Sequence, residues 1–147
     1  MITDSNDPFA LDRFVQAQSH AFETALAEII SGCKRSHWMW YIFPQYAGLG
    51  YSALSQRYAI SSAAEARAYL DHPILGPRLL RCCEALLAID NRSAYEIFDS
   101  PDDMKLKSCA TLFASITPEG SVFEQLLNRY FQGNRDQKTL DLLGISS

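Results

Sequence analysis

Apolar residues recur at helical spacing along most of this chain, and that pattern limits its fold more than any other feature. Between residues 11 and 30, 75 and 89, and 122 and 131, the apolar side chains follow the helical period of about 3.6 residues. The stretch "HWMWYIF" has high β-propensity, but a lone strand would leave its backbone groups unpaired, so we interpret it as a short helix or turn. The sequence predicts an all-α fold, a single irregular bundle of about seven to eight short helices.

Capping residues divide this pattern into separate helices. Ser52, Ser62 and Ser100 are each predicted to cap a helix N-terminus, and Ser62 with Glu65 matches a capping box. The segment from residue 11 to residue 30 fits either one long helix or two helices with a bend near Ser19.

The length of the chain, 147 residues, suffices to bury one hydrophobic core. The sequence contains no linker, internal repeat or low-complexity segment. We expect one helical domain over residues 7–144, with short tails at residues 1–6 and 145–147.

Charge and hydropathy exclude several classes of protein. The net charge of −4, from 17 acidic residues against 13 lysines and arginines, argues against a general nucleic-acid-binding protein, which is usually basic. The N-terminus lacks the pattern of a signal peptide, and no apolar run approaches the roughly 20 residues of a membrane helix. We therefore expect a cytoplasmic protein without a membrane partner; the sequence leaves its oligomeric state open.

The metal-binding residue types show no recognisable spacing. The four cysteines include no C-x-x-C pair, and the three histidines lie far apart. We expect buried, reduced thiols, no metal site and no cofactor. These residues are Cys33, Cys82, Cys83, Cys109, His20, His37 and His72.

The segment "KRSHWMWYIFPQY", from Lys34 to Tyr46, concentrates aromatic rings beside cations. Two interpretations remain open. The rings can fill the core between helices, as aromatic clusters usually do. Alternatively, they can form the floor of a binding site, because a stacking surface next to cations suits a base or sugar that carries a phosphate.

Under the second interpretation the segment and a later helix supply a site for a small anionic ligand. The ligand-binding candidates comprise cations for the anion, rings for stacking, Gln45 for orientation, and a serine from the small polar stripe of "SPDDMKLKSCATLFAS". They are Lys34, Arg35, Trp38, Trp40, Phe43, Gln45, Lys105 and Ser108.

Two residues are candidates for catalysis. His37 is the side chain suited to proton transfer at neutral pH, and Asp102 can orient a base or a water molecule. The reaction would be hydrolysis or transfer at a ribosyl or phosphoryl centre, although the sequence leaves open whether any reaction is catalysed. The alternative is a non-catalytic interaction module that uses the Trp-rich segment as a protein-binding hot spot.

Several stretches resemble a known family over nearly the whole chain, from about Asp7 to Gly144. They include "GCKRSHWMWYIFPQYAGLG", "FDSPDDMKLKSCATLFA" and "RYFQGNRDQKTLDLLG". The family comprises small, mostly bacterial cytosolic proteins with a domain of unknown function, and the resemblance implies an all-α fold without an established activity. Some members are labelled calpastatin, but that inhibitor is a disordered repeat protein, so we reject a protease-inhibitor function.

A looser similarity concerns the helix "PDDMKLKS", with Asp102 and Lys105, and the segment "HWMWYIFPQ". Proteins related to the bacterial riboflavin-pathway N-glycosidase, thought to act on ADP-ribose-like or ribosylamino compounds, also pair an acid-plus-lysine helix with an aromatic-rich entry segment. No catalytic glutamate carries over to this sequence, so the similarity serves as an analogy.

Overall fold

The computed structural model describes residues 7–145, and within them the chain is all-helical, as predicted. Ten helices occur in this range, so the predicted count of seven to eight was too low. Several are very short: α3 has four residues, and α4 and α7 have five each. The helices are α1 (Asp12–Gln18), α2 (Phe22–Ser31), α3 (Met39–Ile42), α4 (Ala53–Arg57), α5 (Ala63–Asp71), α6 (Leu75–Leu87), α7 (Ala94–Phe98), α8 (Asp102–Ala114), α9 (Val122–Phe131) and α10 (Gln137–Leu143).

The two predicted tails fall mostly outside the described residues, which leave out 1–6 and 146–147. Ile145 is described, and it donates its backbone N–H to the carbonyl of Leu140 at 2.9 Å. That hydrogen bond closes the end of α10 beyond Gly144, whose positive φ of 76° ends the helix.

The segment from residue 11 to residue 30 forms two helices, with the bend at the predicted place. Ser19 follows the last residue of α1, and its hydroxyl donates to the carbonyl of Gln16 at 2.8 Å. Helix α2 ends at Gly32, whose φ of 80° is left-handed. The chain thereby leaves α2 in a new direction and enters the aromatic segment.

The predicted caps are only partly correct. Ser52 and Ser62 cap α4 and α5 as expected, accepting hydrogen bonds from backbone N–H groups three residues ahead. Ser62 forms no reciprocal capping box, because Glu65 accepts from the N–H of Ser61 instead. Ser100 caps nothing: the first turn of α8 is bonded to the carbonyls of Asp99 and Pro101.

The core lies where α8 and α6 pack against their neighbours. Helix α8 contacts α7, α9 and α10, and α6 contacts α2, α5 and α9. A chain of rings crosses this core, with centroids 5.1 Å apart for Phe14 and Tyr69, 5.7 Å for Tyr69 and Phe113, and 5.2 Å for Phe113 and Phe123. These contacts join α1, α5, α8 and α9 through side chains rather than through the backbone.

Three of the four cysteines are buried in this core as free thiols, as expected, whereas Cys33 is only partly buried. Burial raises the pKa of the Cys82 thiol to about 12, so the thiol is protonated and unreactive at neutral pH. Within residues 7–145 no helix has both the length and the apolar character to cross a membrane. No cluster of three or more possible metal ligands occurs in the same range.

Candidate functional site

Glu28 organises the loop that follows α2. Its Oε1 accepts hydrogen bonds from the backbone N–H groups of Arg35 and Ser36, at 2.8 and 3.0 Å, and from the indole Nε1 of Trp38 at 3.0 Å. Its Oε2 accepts from the Ser36 hydroxyl at 2.6 Å. One carboxylate therefore holds both the loop backbone and Trp38. Because the backbone of Arg35 is held, the position of the residue before it, Lys34, is also restricted.

The environment of Glu28 favours its charged form. Burial by itself raises the pKa of this carboxyl group, but the hydrogen bonds from Ser36, Arg35 and Trp38 together lower it to about 2. Sequence analysis missed this residue. The available signal was an acidic side chain among the apolar positions of an amphipathic helix, between Ala25 and Ile29, which are both buried.

Asp102 lies between two lysines at the start of α8. Its Oδ2 is 2.9 Å from Nζ of Lys34, and its Oδ1 is 3.0 Å from Nζ of Lys105. Burial raises the pKa of this carboxyl group, but the hydrogen bonds and charges of the two lysines outweigh burial and lower it. The cluster holds two positive charges against one negative charge, so it carries one net positive charge.

The two lysines differ in how much of their donor capacity remains free. Lys34 also donates to the carbonyl of Ser36 at 2.5 Å, and its side chain is only 8% exposed. Lys105 is 21% exposed, and its Nζ lies 4.1 Å from the centroid of the Trp40 ring, a cation–π distance. Lys105 is therefore the cation that an incoming anion can reach.

Trp40 also borders a pocket of about 130 Å³. The pocket lies between the loop of residues 45–50, helix α4 and the segment that follows α4. Hydrogen bonds between Ile60 N–H and Gln45 O, at 2.9 Å, and between Ala47 N–H and Ile60 O, at 2.8 Å, hold its two walls together. Its principal side chains are Trp40, Gln45, Tyr46, Ser55, Gln56 and Tyr58.

Gln45 is the unusual member of this wall. The residue is 7% exposed, and its Nε2 is buried without a hydrogen-bond acceptor among the described residues. Gly50 closes the rim, because a Cβ at that position would lie 2.7 Å from Cβ of Ser55 and 3.5 Å from the Trp40 ring. A glycine is thus needed for the loop to approach the pocket this closely.

The structure brings together five of the predicted site residues. Lys34, Asp102 and Lys105 form the charged cluster, Lys105 faces Trp40, and Trp40 and Gln45 line one pocket. The segment of residues 34–45, which includes α3, supplies one half, and helix α8, far away in sequence, supplies the other.

The other predicted residues do not join this group. Trp38 and Phe43 are 1% and 0% exposed, so the prediction that they stack on a ligand is corrected: both rings belong to the core. Ser108 is buried, and its hydroxyl donates to the carbonyl of Met104 at 3.2 Å. Arg35 and His37 are exposed, and the structure shows no hydrogen bond or ion pair between the side chains of His37 and Asp102.

Comparisons with known proteins identify the family of this all-helical chain. A family model described as "Protein of unknown function (DUF1810)" matches residues 8–143, and the chain belongs to this family. The resemblance found in the sequence is therefore confirmed at the level of the family. A search of curated proteins found no match.

A solved structure is similar to this chain along nearly its whole length. It is the crystal structure of the conserved hypothetical protein Rv1873 from Mycobacterium tuberculosis, which is 48% identical and superimposes with a TM-score of 0.92. The match covers 95% of this chain and 100% of that chain. Neither description states an activity, so function has to be argued from the site itself.

Proposed function

We propose that this protein binds a small anionic ligand, of the nucleotide or ADP-ribose type, in the cleft beside Trp40. The observation that supports this proposal is the net positive charge of the Lys34–Asp102–Lys105 cluster, whose more accessible lysine faces the ring of Trp40. An anion and an attached ring are the chemical partners of such a pair. The protein as a whole is acidic, with a net charge of −4, so this local excess of positive charge runs against its overall charge.

The geometry supports binding better than hydrolysis. Each oxygen of Asp102 already pairs with a lysine, and its lowered pKa makes it a weak base. His37 is exposed and forms no side-chain contact with Asp102 that would place a base beside this cleft. The proposal therefore stops at binding.

The alternative of a protein-interaction module loses one of its two tryptophans. A hot spot places its tryptophans on an accessible face, whereas Trp38 is enclosed by the core. Trp40 borders a concave pocket and not a flat patch, which is the setting expected for a small molecule.

A thermal-shift titration with pyrophosphate, ADP and ADP-ribose tests the proposal. A ligand at 100 times its Kd adds about 2.7 kcal/mol to the free energy of unfolding, which raises Tm by several degrees in a chain of this size. We expect such a shift in the wild type and its absence in Lys105→Met, which keeps most of the length of the side chain and removes its charge.

The matched control is Lys107→Met, on the same helix but outside the cluster, and it should respond like the wild type. Equal shifts in Lys105→Met and the wild type would refute the role of this cluster. So would the lack of any shift in the wild type across the three ligands.

A further inference from the structure

We infer that the pocket beside Gln45 receives a single six-membered heterocycle that carries an exocyclic carbonyl oxygen. This inference rests on the proposed function, because the anionic part of the same ligand would lie at Lys105. It goes further by narrowing the ligand class to nucleotides with a one-ring base, so that ADP and ADP-ribose would be held by their phosphates alone.

The size of the pocket limits what can enter. A cavity of about 150 Å³ accommodates one benzene molecule, and this pocket has a volume of about 130 Å³. One six-membered ring matches that volume, whereas a fused two-ring base exceeds it. Gly50 keeps the rim close to Trp40 and Ser55, so the pocket cannot widen at that side without moving the loop.

The polar side chains of the wall leave one buried donor unused. Tyr46 donates its hydroxyl to the carbonyl of Ser61 at 3.2 Å, Ser55 donates to the carbonyl of Ser52 at 2.8 Å, and Gln56 donates to the carbonyl of Tyr51 at 3.1 Å. Among the described residues of this wall, Nε2 of Gln45 is the buried donor that lacks an acceptor. A ligand that supplies an oxygen atom at this position satisfies it.

The missing hydrogen bond is a reason to expect a ligand. Buried amide groups in folded proteins are nearly always paired, and an unpaired one destabilises the protein that contains it. Gln45 is also held in place, because its backbone carbonyl accepts from Ile60 N–H at 2.9 Å. The residue therefore remains in the wall of the pocket, and a turn of its amide group would present Nε2 to an acceptor brought by the ligand.

Trp40 connects this pocket to the cationic cluster. Its indole borders the pocket, and Nζ of Lys105 lies 4.1 Å from the centroid of the same ring. A heterocycle in the pocket and a phosphate at Lys105 would therefore both contact the indole of Trp40. A sugar can link a ring and a phosphate that meet the same side chain, which is why we infer a nucleotide and not a free base.

Calorimetric titration with three phosphates tests this inference: uridine 5′-monophosphate, adenosine 5′-monophosphate and ribose 5-phosphate. We expect the uridine compound to bind the wild type at least roughly tenfold more tightly than ribose 5-phosphate, because it adds the hydrogen bond to Gln45 and the stacked ring. The adenosine compound should gain little, because its two-ring base does not fit.

The variant Gln45→Met tests the hydrogen bond. Methionine has a similar volume and removes the unpaired donor, so Tm should stay the same or rise. Affinity for uridine 5′-monophosphate should fall toward that for ribose 5-phosphate, and affinity for ribose 5-phosphate should not change. Gln125→Met, outside the pocket, is the control, because its donor is already paired with a backbone carbonyl.

The possible failures are distinguishable. If no phosphate binds the wild type, the proposed function fails and this inference fails with it. If all three bind equally, or if Gln45→Met leaves the preference for the uridine compound intact, the anion site stands and the inference about the ring is overturned. The comparison of the three phosphates on the wild type decides the question even if Gln45→Met does not fold.

Discussion

Trp38 and Trp40 lie two residues apart in one segment, each with a lysine over its ring, yet they occupy opposite environments. Trp38 is 1% exposed, its Nε1 donates to Glu28, and its ring packs against Phe43 and Phe98 with centroids 6.2 and 6.3 Å away. Trp40 is partly exposed and borders a pocket. The difference shows that a cluster of rings and cations is not one functional unit: its first half stabilises the fold, and its second half can meet a ligand.

The lysines follow the same division. Lys34 lies 4.9 Å from the Trp38 ring and is held by Ser36 and Asp102, so its charge is largely satisfied within the protein. Lys105, over Trp40, is more exposed and is paired with Asp102 as its acidic partner. Four substitutions test this division, from the largest expected effect on the free energy of unfolding to the smallest.

Replacing Trp38 should have the largest effect. Trp38→Ala leaves a cavity against Phe43 and Phe98 and leaves Glu28 without one of its donors, so we expect a loss of about 3–5 kcal/mol. Urea denaturation followed by circular dichroism measures it. A loss no greater than that caused by Trp40→Ala would contradict the assignment of Trp38 to the core.

Replacing Glu28 should have the next largest effect and should make stability depend on pH. Its folded pKa of about 2 lies below the ordinary value of 4.5. The carboxylate therefore stabilises the folded protein above pH 4.5, and this contribution disappears as the pH falls toward 2. Glu28→Gln should lower the free energy of unfolding by about 3 kcal/mol at pH 7.

Urea denaturation of wild type and Glu28→Gln at pH 7 and at pH 3 measures this difference, which should shrink at the lower pH. Glu23→Gln, an exposed position on the same helix, is the control and should behave like the wild type at both values. A difference that stays constant with pH would show that Glu28 acts through shape and not through charge.

Replacing Trp40 should affect binding more than stability. The ring is only half-buried, so Trp40→Ala should lower the free energy of unfolding by about 1–2 kcal/mol. Pyrophosphate and uridine 5′-monophosphate titrations should show that the ring-bearing ligand loses more affinity than the simple anion. Unchanged affinity for the uridine compound would remove Trp40 from the site.

Replacing Asp102 should have the smallest effect on stability, and it should strengthen the binding of anions where the other substitutions weaken or spare it. Its ion pairs are partly exposed, so Asp102→Asn should cost only about 1 kcal/mol. The variant removes the negative charge from between two lysines, and pyrophosphate should therefore bind more tightly. Asp103→Asn is the neighbouring control; weaker pyrophosphate binding in Asp102→Asn alone would show that Asp102 positions Lys105 more than it competes with the ligand.

The fold was accessible from the sequence because helical periodicity is a local property. The bend near Ser19, the single turn at Met39–Ile42 and the serine caps at Ser52 and Ser62 were all predicted from neighbouring residues. The error at Ser100 is also local in origin. The backbone carbonyls of Asp99 and Pro101 accept the hydrogen bonds of the first turn of α8, and residue types alone do not show whether a side chain or a backbone carbonyl will accept them.

The site was only partly accessible. Residue types indicated Lys105, Trp40 and Gln45 as candidates, but the same criteria indicated Trp38 and Phe43, which are core residues. Glu28 was missed because a single acid in an amphipathic helix looks like an exception to the pattern, and its four donors come from residues 35–38, beyond the end of that helix.

The sequence alone determined that the chain is helical, where several of its helices begin, and which residue types are available for a ligand. These features depend on spacing along the chain. The tertiary structure alone decided which tryptophan is core and which lysine is accessible. Burial depends on what distant segments bring: Glu28 and Phe98 enclose Trp38 from α2 and α7, while α8 places Lys105 over Trp40.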